Sequence, residues 1–122
     1  MNLPELINEY KDKVIICSNT NYSDKQSVHI HNEAAKRQYE VVNLISTKFG
    51  VKGIEEFVKL LDMKDFNLNI SVAVQLLEKM NPDKGTKEKA LNIIREAAKG
   101  DGVRGLGLKN WLKNYETKHT EY

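Results

Sequence analysis

A sequence period of 35 residues is the feature that most limits how this chain can fold. A shift of 35 residues places residues of like chemical kind together in three copies, most clearly Val42, Leu77 and Leu112. Three neighbouring sets align in the same way: Val41 with Leu76 and Trp111, Ile45 with Met80 and Tyr115, and Gln38 with Ala73 and Leu108. A helical hairpin leaves one apolar face open, so neighbouring hairpins must stack to bury it. The period predicts stacked helical hairpins, and a six-helix bundle with a chance period is the alternative.

The spacing of apolar residues is helical through nearly the whole chain, and no run alternates as a strand would. We therefore predict an all-α protein of about six helices that stack as hairpins into a short right-handed α-α superhelix. The expected ranges are 3–16, 23–48, 53–61, 70–80, 86–99 and, with Asp101 as cap, 101 to about 115. Ser23 and Thr86 are the expected N-caps of the second and fifth helices, and Gly50 is the expected stop of the second.

The length and composition of the chain favour one domain. Its 122 residues, 40% of them hydrophobic, are enough for a single core without disulfides or metal. We expect one helical-repeat domain over 1–122, made of an N-terminal helix and loop (1–22), a repeat core (23–115) and a frayed polar tail (116–122). The lone Cys17 and the absence of a secretory leader predict a cytoplasmic location. The longest apolar run has four residues, against about 20 for a membrane span, so no membrane contact is expected.

Four stretches of the chain are similar to a family of small bacterial helical proteins. They are HNEAAKRQY at 31–39, LLD at 60–62, VAVQLL at 72–77 and LKNWL at 108–112. Over the last three quarters of its length the chain resembles an uncharacterised bacterial family of HEAT-like α-α superhelices, the domain of unknown function "twenty-nineteen". Residues 67–72 depart from the Asp and Val-Arg pattern that HEAT-like repeats often show. The resemblance implies the fold and no catalytic residues, and it permits the role of an immunity protein that neutralises a toxin.

Two motifs that imitate ligand sites fail in their context. Residues 100–105 match GxGxxG, but the pattern before them is an amphipathic helix, where a dinucleotide fold needs a buried strand. We interpret them as a helix C-cap and a tight hairpin turn. Residues 65–69 open like a calcium loop, but Ile70 stands where that loop needs glycine and Leu76 where it needs glutamate. No cofactor is therefore expected.

The histidines and the cysteine also favour structural roles. On a helix, His29 and His31 would lie about 200° apart, which suits a shared metal ion poorly. Cys17 falls on the apolar face of the first helix, where a buried structural thiol is expected. No serine stands in a nucleophile motif. We expect no metal, no catalytic residue and no enzyme activity.

The repeat register places a polar stripe opposite the core of the second, fourth and sixth helices. Its members are Lys36, Glu40, Asn43, Ser71, Gln75, Glu78, Asn110 and Lys113. Helical-repeat scaffolds bind through the surface of one helix series, so the stripe predicts a non-catalytic module that binds another protein. An idle solvated face would have the same composition.

A basic helical-repeat protein that binds nucleic acid is the alternative. Arg104, Lys109 and Lys113 could neutralise phosphates while Trp111 or Tyr115 stacks on a base. Both aromatic residues align with core positions of the other repeats, however, so we interpret them as buried anchors beneath lysine side chains. The formal net charge of +2 is also low for a nucleic-acid binder.

Overall fold

The computed structural model describes residues 1–100 and 102–119, and within these ranges it contains helices and no strand. The five α-helices are α1 (Leu3–Ser18), α2 (Lys25–Val58), α3 (Leu68–Lys79), α4 (Lys84–Ala98) and α5 (Val103–His119). Two 3-10 helices, Lys59–Asp62 and Asp65–Asn67, connect α2 to α3. The all-α prediction is confirmed. No helix in the described ranges combines the length and the apolar character that crossing a membrane would need.

The six expected helices are not confirmed, because α2 contains two of them. At Gly50 the backbone has φ 54° and ψ −132°, and α2 continues beyond this residue after a kink. Glycine adopts this conformation without the steric cost that a Cβ would bring. The expected second and third helices are therefore the two arms of one bent helix.

Aspartates cap two of the helices in place of the expected Ser23 and Thr86. Asp24 accepts a hydrogen bond of 3.0 Å from the backbone N–H of Gln26 at the start of α2. Asp83 accepts one of 2.8 Å from the backbone N–H of Thr86, so α4 begins at Lys84. A carboxylate both caps the free N–H groups and complements the positive end of the helix dipole, which favours these positions.

The core lies where α1, α2, α3 and α4 meet. Its largest fully buried side chains are Tyr10, Phe57, Leu6, Ile45, Leu76, Ile94, Val41, Val42 and Val72. The rings of Tyr10 and Phe57 pack edge to face, with their centroids 4.9 Å apart. The hydroxyl groups of Tyr10 and Ser71 share a hydrogen bond of 2.5 Å, which ties α1 to the first turn of α3.

The three copies of the 35-residue period contact one core but are buried to different degrees. Val42 is fully buried, whereas Leu77 and Leu112 are half-buried and pack against the same cluster. In two further sets the first two copies are buried, at Val41 and Leu76 and at Ile45 and Met80, whereas Trp111 and Tyr115 of the third copy are half-buried.

The turn between α4 and α5 is held tight by Gly105. A Cβ at this position would overlap the carbonyl oxygen of Gly100, so only glycine allows α5 to approach the end of α4 so closely. Asp101, the expected cap of the last helix, lies outside the described residues. The α5 helix continues through the first residues of the expected tail to His119, and residues 120–122 lie outside the described ranges.

Candidate functional site

Six of the eight residues of the predicted polar stripe are exposed. They are Lys36, Glu40, Asn43, Glu78, Asn110 and Lys113. Ser71 is half-buried, because its hydroxyl group is hydrogen-bonded to Tyr10. Gln75 is only 5% exposed, so the prediction that it faces solvent is wrong. The reason is tertiary: α3 contacts α1, α2 and α4, which together cover more of its surface than its own apolar stripe indicates.

Burial of Gln75 leaves one polar atom without a partner. Its side-chain oxygen accepts no hydrogen bond from any residue in the described part of the chain. A buried acceptor without a donor lowers stability, since the group has given up its hydration. Gln75 therefore belongs to the interior of the protein and not to a contact surface.

Two aromatic side chains on α5 form a stack against α3. The rings of Trp111 and Tyr115, one helical turn apart, lie nearly parallel at 10°, with their centroids 5.1 Å apart. The indole N–H of Trp111 donates a hydrogen bond of 2.7 Å to the carboxylate of Glu78. Both rings are half-buried, so each keeps a surface that a partner can contact.

A third aromatic residue extends this surface to α2. Tyr39 is 52% exposed, and the ammonium group of Lys79 lies 5.7 Å from the centroid of its ring. Such a cation–π contact fixes the lysine across the gap between α2 and α3. We use the name aromatic face for the five residues Tyr39, Glu78, Lys79, Trp111 and Tyr115.

A groove of about 540 Å³ runs along the α3–α5 side of the aromatic face. It is lined by Leu77, Glu78, Lys79, Trp111, Asn114, Tyr115 and Lys118. The lining combines an apolar floor with one carboxylate and two ammonium groups. Of the predicted stripe, Glu78 alone is among these residues.

The sequence analysis missed most of the aromatic face. Trp111 and Tyr115 were expected as buried anchors, and they are only half-buried. Tyr39 and Lys79 were not singled out at all. The available signal for Tyr39 was an aromatic residue outside the apolar positions of its helix, but its pairing with Lys79 depends on how α2 and α3 pack.

The thiol of Cys17 is half-buried and hydrogen-bonded. Its sulfur accepts a hydrogen bond of 3.3 Å from the side-chain amide of Gln38 and lies 3.8 Å from the backbone oxygen of His31. Burial raises the pKa of this thiol, which disfavours the nucleophilic thiolate. The imidazole Nδ1 of His31 lies 2.8 Å from the hydroxyl of Thr20. Among the described residues, no three His, Cys, Asp or Glu side chains are grouped as a metal site would need.

The structure describes the side chains of two of the three basic residues in the nucleic-acid alternative. Lys109 and Lys113 are exposed on α5. The side chain of Arg104 lies outside the described part of the structure.

Comparison with protein-family models, with curated proteins and with solved structures finds no match.

Proposed function

We propose that this chain is a non-catalytic protein–protein interaction module that binds its partner through the aromatic face. Aromatic side chains on α2 and α5 lie there beside charges of both signs on α3, and this is the observation that carries the proposal. Tyr and Trp dominate the binding energy of many interfaces, because they bury much apolar area and keep a polar tip for a hydrogen bond. The exposed stripe residues then form the polar rim: Lys36, Glu40, Asn43, Asn110 and Lys113.

The same proposal includes the HEAT-like arrangement of the helices. Residues of all three copies of the 35-residue period contact one core, and the aligned positions on α5 are only half-buried. The outer helix of a stacked array lacks a neighbour on one side, so the lower burial on α5 supports a short α-α superhelix in which α5 is an outer helix. The half-open aromatic stack lies on that last helix.

We propose a cytoplasmic role in which the partner is a protein toxin, as for an immunity protein. The resemblance of residues 31–112 to small bacterial HEAT-like proteins supports this role. Inhibition by an immunity protein needs only binding that covers the working surface of the toxin, so it requires no chemistry from this chain.

Binding of nucleic acid through Lys109 and Lys113 is the second candidate. The stacked rings of Trp111 and Tyr115 and the exposed lysines favour it. Against it stands the carboxylate of Glu78, held 2.7 Å from the indole nitrogen, because a base on this stack would bring its phosphate near that negative charge. The aromatic face therefore suits a protein better than a polyanion.

Affinity capture with matched variants tests the proposal. The immobilised protein is exposed to lysate of the native host, and the bound proteins are quantified by mass spectrometry for the wild type and for the double variant Tyr39→Ala, Lys79→Glu. Lys25→Glu, the same charge change on an exposed lysine at the start of α2, is the control. We expect a protein that the wild type and the control retain and the double variant loses.

A second double variant separates the two candidates. Retention on heparin or DNA that falls steeply with salt, and that is lost in Lys109→Glu, Lys113→Glu, would favour nucleic acid. Equal protein retention by the wild type and the Tyr39→Ala, Lys79→Glu variant would contradict binding through the aromatic face.

A further inference from the structure

A separate cleft of about 380 Å³ lies between the C-terminal end of α1 and the start of α3. It is lined by residues of α1, the α1–α2 loop, α2, the second 3-10 helix, α3 and α5. Its volume is within the range of small-molecule sites, which are often found between the helices of helical proteins. The aromatic face lies elsewhere, since the two share no lining residue.

No carboxylate, ammonium or guanidinium group is found in the described lining of the cleft, although the protein surface is rich in charge. Asp, Glu, Lys and Arg make up 30% of the chain, and none of them is among the twelve described residues that line the cleft. The thiol of Cys17, with its pKa raised by burial, adds no charge at neutral pH. A charged ligand would lose hydration on entry and find no counter-ion in the described lining.

Three aromatic rings surround the cleft. Tyr22 and Phe66 are 73% and 51% exposed, and both contribute to the lining. The ring of His31 lies 5.8 Å from that of Tyr22, measured between centroids. A flat ligand can stack on exposed aromatic rings that come from two separate segments of the chain.

The polar atoms of the lining are held in place by their own partners. The amide of Gln38 bonds to the sulfur of Cys17, and Nδ1 of His31 bonds to Thr20. The hydroxyl of Ser71 bonds to Tyr10. Such anchored groups change little when a ligand enters, which lowers the entropic cost of binding.

The backbone beside the cleft is strained at the residue that supplies one of the rings. Phe66 and Asn67 have φ of 55° and 61°, consecutive left-handed conformations in residues that are not glycine. A bulky side chain adopts this conformation at a cost that surrounding structure must offset, and such strain is concentrated at functional sites. Here the strained turn presents the ring of Phe66 at the cleft.

We propose that this cleft binds a small uncharged planar aromatic molecule that stacks against Phe66 and Tyr22. A lining without Asp, Glu, Lys or Arg among its described residues selects against ions, and the ring surfaces select for flat ligands. The anchored amide, thiol and hydroxyl groups offer polar contacts to a ring heteroatom. This site is independent of partner binding at the aromatic face.

A series of three probes of one ring system tests the proposal. Indole is neutral, indole-3-acetate is an anion and tryptamine is a cation at neutral pH, and each is titrated into the ¹⁵N-labelled protein. We expect indole to produce saturable amide shifts at residues of the cleft, with the two charged probes binding about tenfold more weakly. Shifts that do not saturate, that centre on Trp111, or that are as strong for a charged probe would overturn the proposal.

Two variants locate the site. Tyr22→Ala removes a mostly exposed ring, and Phe66→Gly removes the second ring while relieving the left-handed strain, so both should fold. Each is expected to weaken indole binding about fivefold, the size of one stacking contact. Tyr39→Ala, which removes an exposed tyrosine outside the cleft, should leave the affinity unchanged. Equal affinity in all three variants would overturn the assignment.

Discussion

The packing of α1 against α2 differs sharply from the packing of α5 against the rest of the protein. Tyr10, Val41 and Ile45 are completely buried between the first two helices. On α5, Leu108, Trp111 and Leu112 contact the same core but remain half-buried. The first region is built as an interior, whereas the last helix keeps part of its apolar surface open.

This contrast shows where the removal of a side chain should lower the stability most and where apolar surface remains accessible. Fully buried groups lose most when they are removed, and half-buried aromatic groups still have area to offer a partner. The elements with fewer buried contacts also open locally at a lower free energy.

Removal of a core ring should cost far more than removal of the α5 indole. Phe57 is fully buried against Tyr10, and we expect Phe57→Ala to lower the free energy of unfolding by about 3–5 kcal/mol. Trp111 is half-buried, so Trp111→Ala should lower it by about 1–2 kcal/mol. Urea unfolding at pH 7 measures both values. Equal losses would show that the two regions are packed alike.

The close approach of α5 to the end of α4 should make Gly105→Ala unfavourable. The new Cβ would overlap the carbonyl oxygen of Gly100, so the backbone must move, at a cost of about 1–3 kcal/mol. Gly107 is the control, because a Cβ there meets nothing within 4 Å. Gly107→Ala should stabilise the helix by up to about 1 kcal/mol. Hydrogen exchange of the α5 amides should accelerate in Gly105→Ala alone; faster exchange in both variants would contradict the tight turn.

The unpartnered oxygen of Gln75 predicts a substitution that raises stability. Gln75→Met keeps the volume of the side chain and removes the buried acceptor, and we expect a gain of about 1 kcal/mol in the free energy of unfolding. Gln75→Glu would place a charge at the same buried position and should destabilise the protein at pH 7. Thermal unfolding of the three proteins measures both effects. A loss in Gln75→Met would show that the amide is satisfied in solution.

The ion pair between α1 and α2 predicts a small pH-dependent contribution. Both carboxylate oxygens of Glu9 accept hydrogen bonds from Arg37, at 2.7 and 2.9 Å. This hydrogen bonding lowers the pKa of Glu9 below its ordinary value of 4.5. Because the pKa is lower in the folded state, the stabilisation is present at neutral pH and is lost as the pH falls through the folded-state pKa.

We therefore expect Glu9→Gln to lower the free energy of unfolding by about 0.5–1 kcal/mol at pH 7 and by almost nothing near pH 3. Urea unfolding at the two pH values measures the difference. Glu55→Gln is the control, since Glu55 is exposed and forms no ion pair with any of the described residues. A deficit for Glu9→Gln that persists unchanged at pH 3 would contradict the assigned role of the ion pair.

Most helix positions could be predicted because they depend on neighbours in the chain. The apolar spacing that predicted a helix over 3–16 corresponds to α1, and the expected helix over 70–80 lies within two residues of α3. The caps were missed because each true cap has a second candidate close by: Ser23 directly precedes Asp24, and Thr86 follows Asp83 by three residues. The sequence pattern alone did not decide between the candidate caps. A carboxylate is favoured at a helix N-terminus because its negative charge interacts with the positive end of the helix dipole.

The candidate surface was predicted less well than the fold. The 35-residue register placed Gln75 and Glu78 on one exposed stripe, but Gln75 is buried and Glu78 bonds to Trp111. The contact of Lys79 with Tyr39 joins residues 40 positions apart in different helices. The cleft beside Phe66 likewise needs six segments of the chain to come together.

The order of the amino acids was sufficient for the all-α class and for the approximate bounds of the helices, since helix formation depends on residues within a few positions of one another. The packing of distant helices settled which polar residues are covered, which rings stay open and where a cleft forms. Burial and ring contacts are properties of neighbours in space. The 35-residue period alone does not specify the burial of a side chain or its ring contacts, because these depend on how α3 packs against α2 and α5.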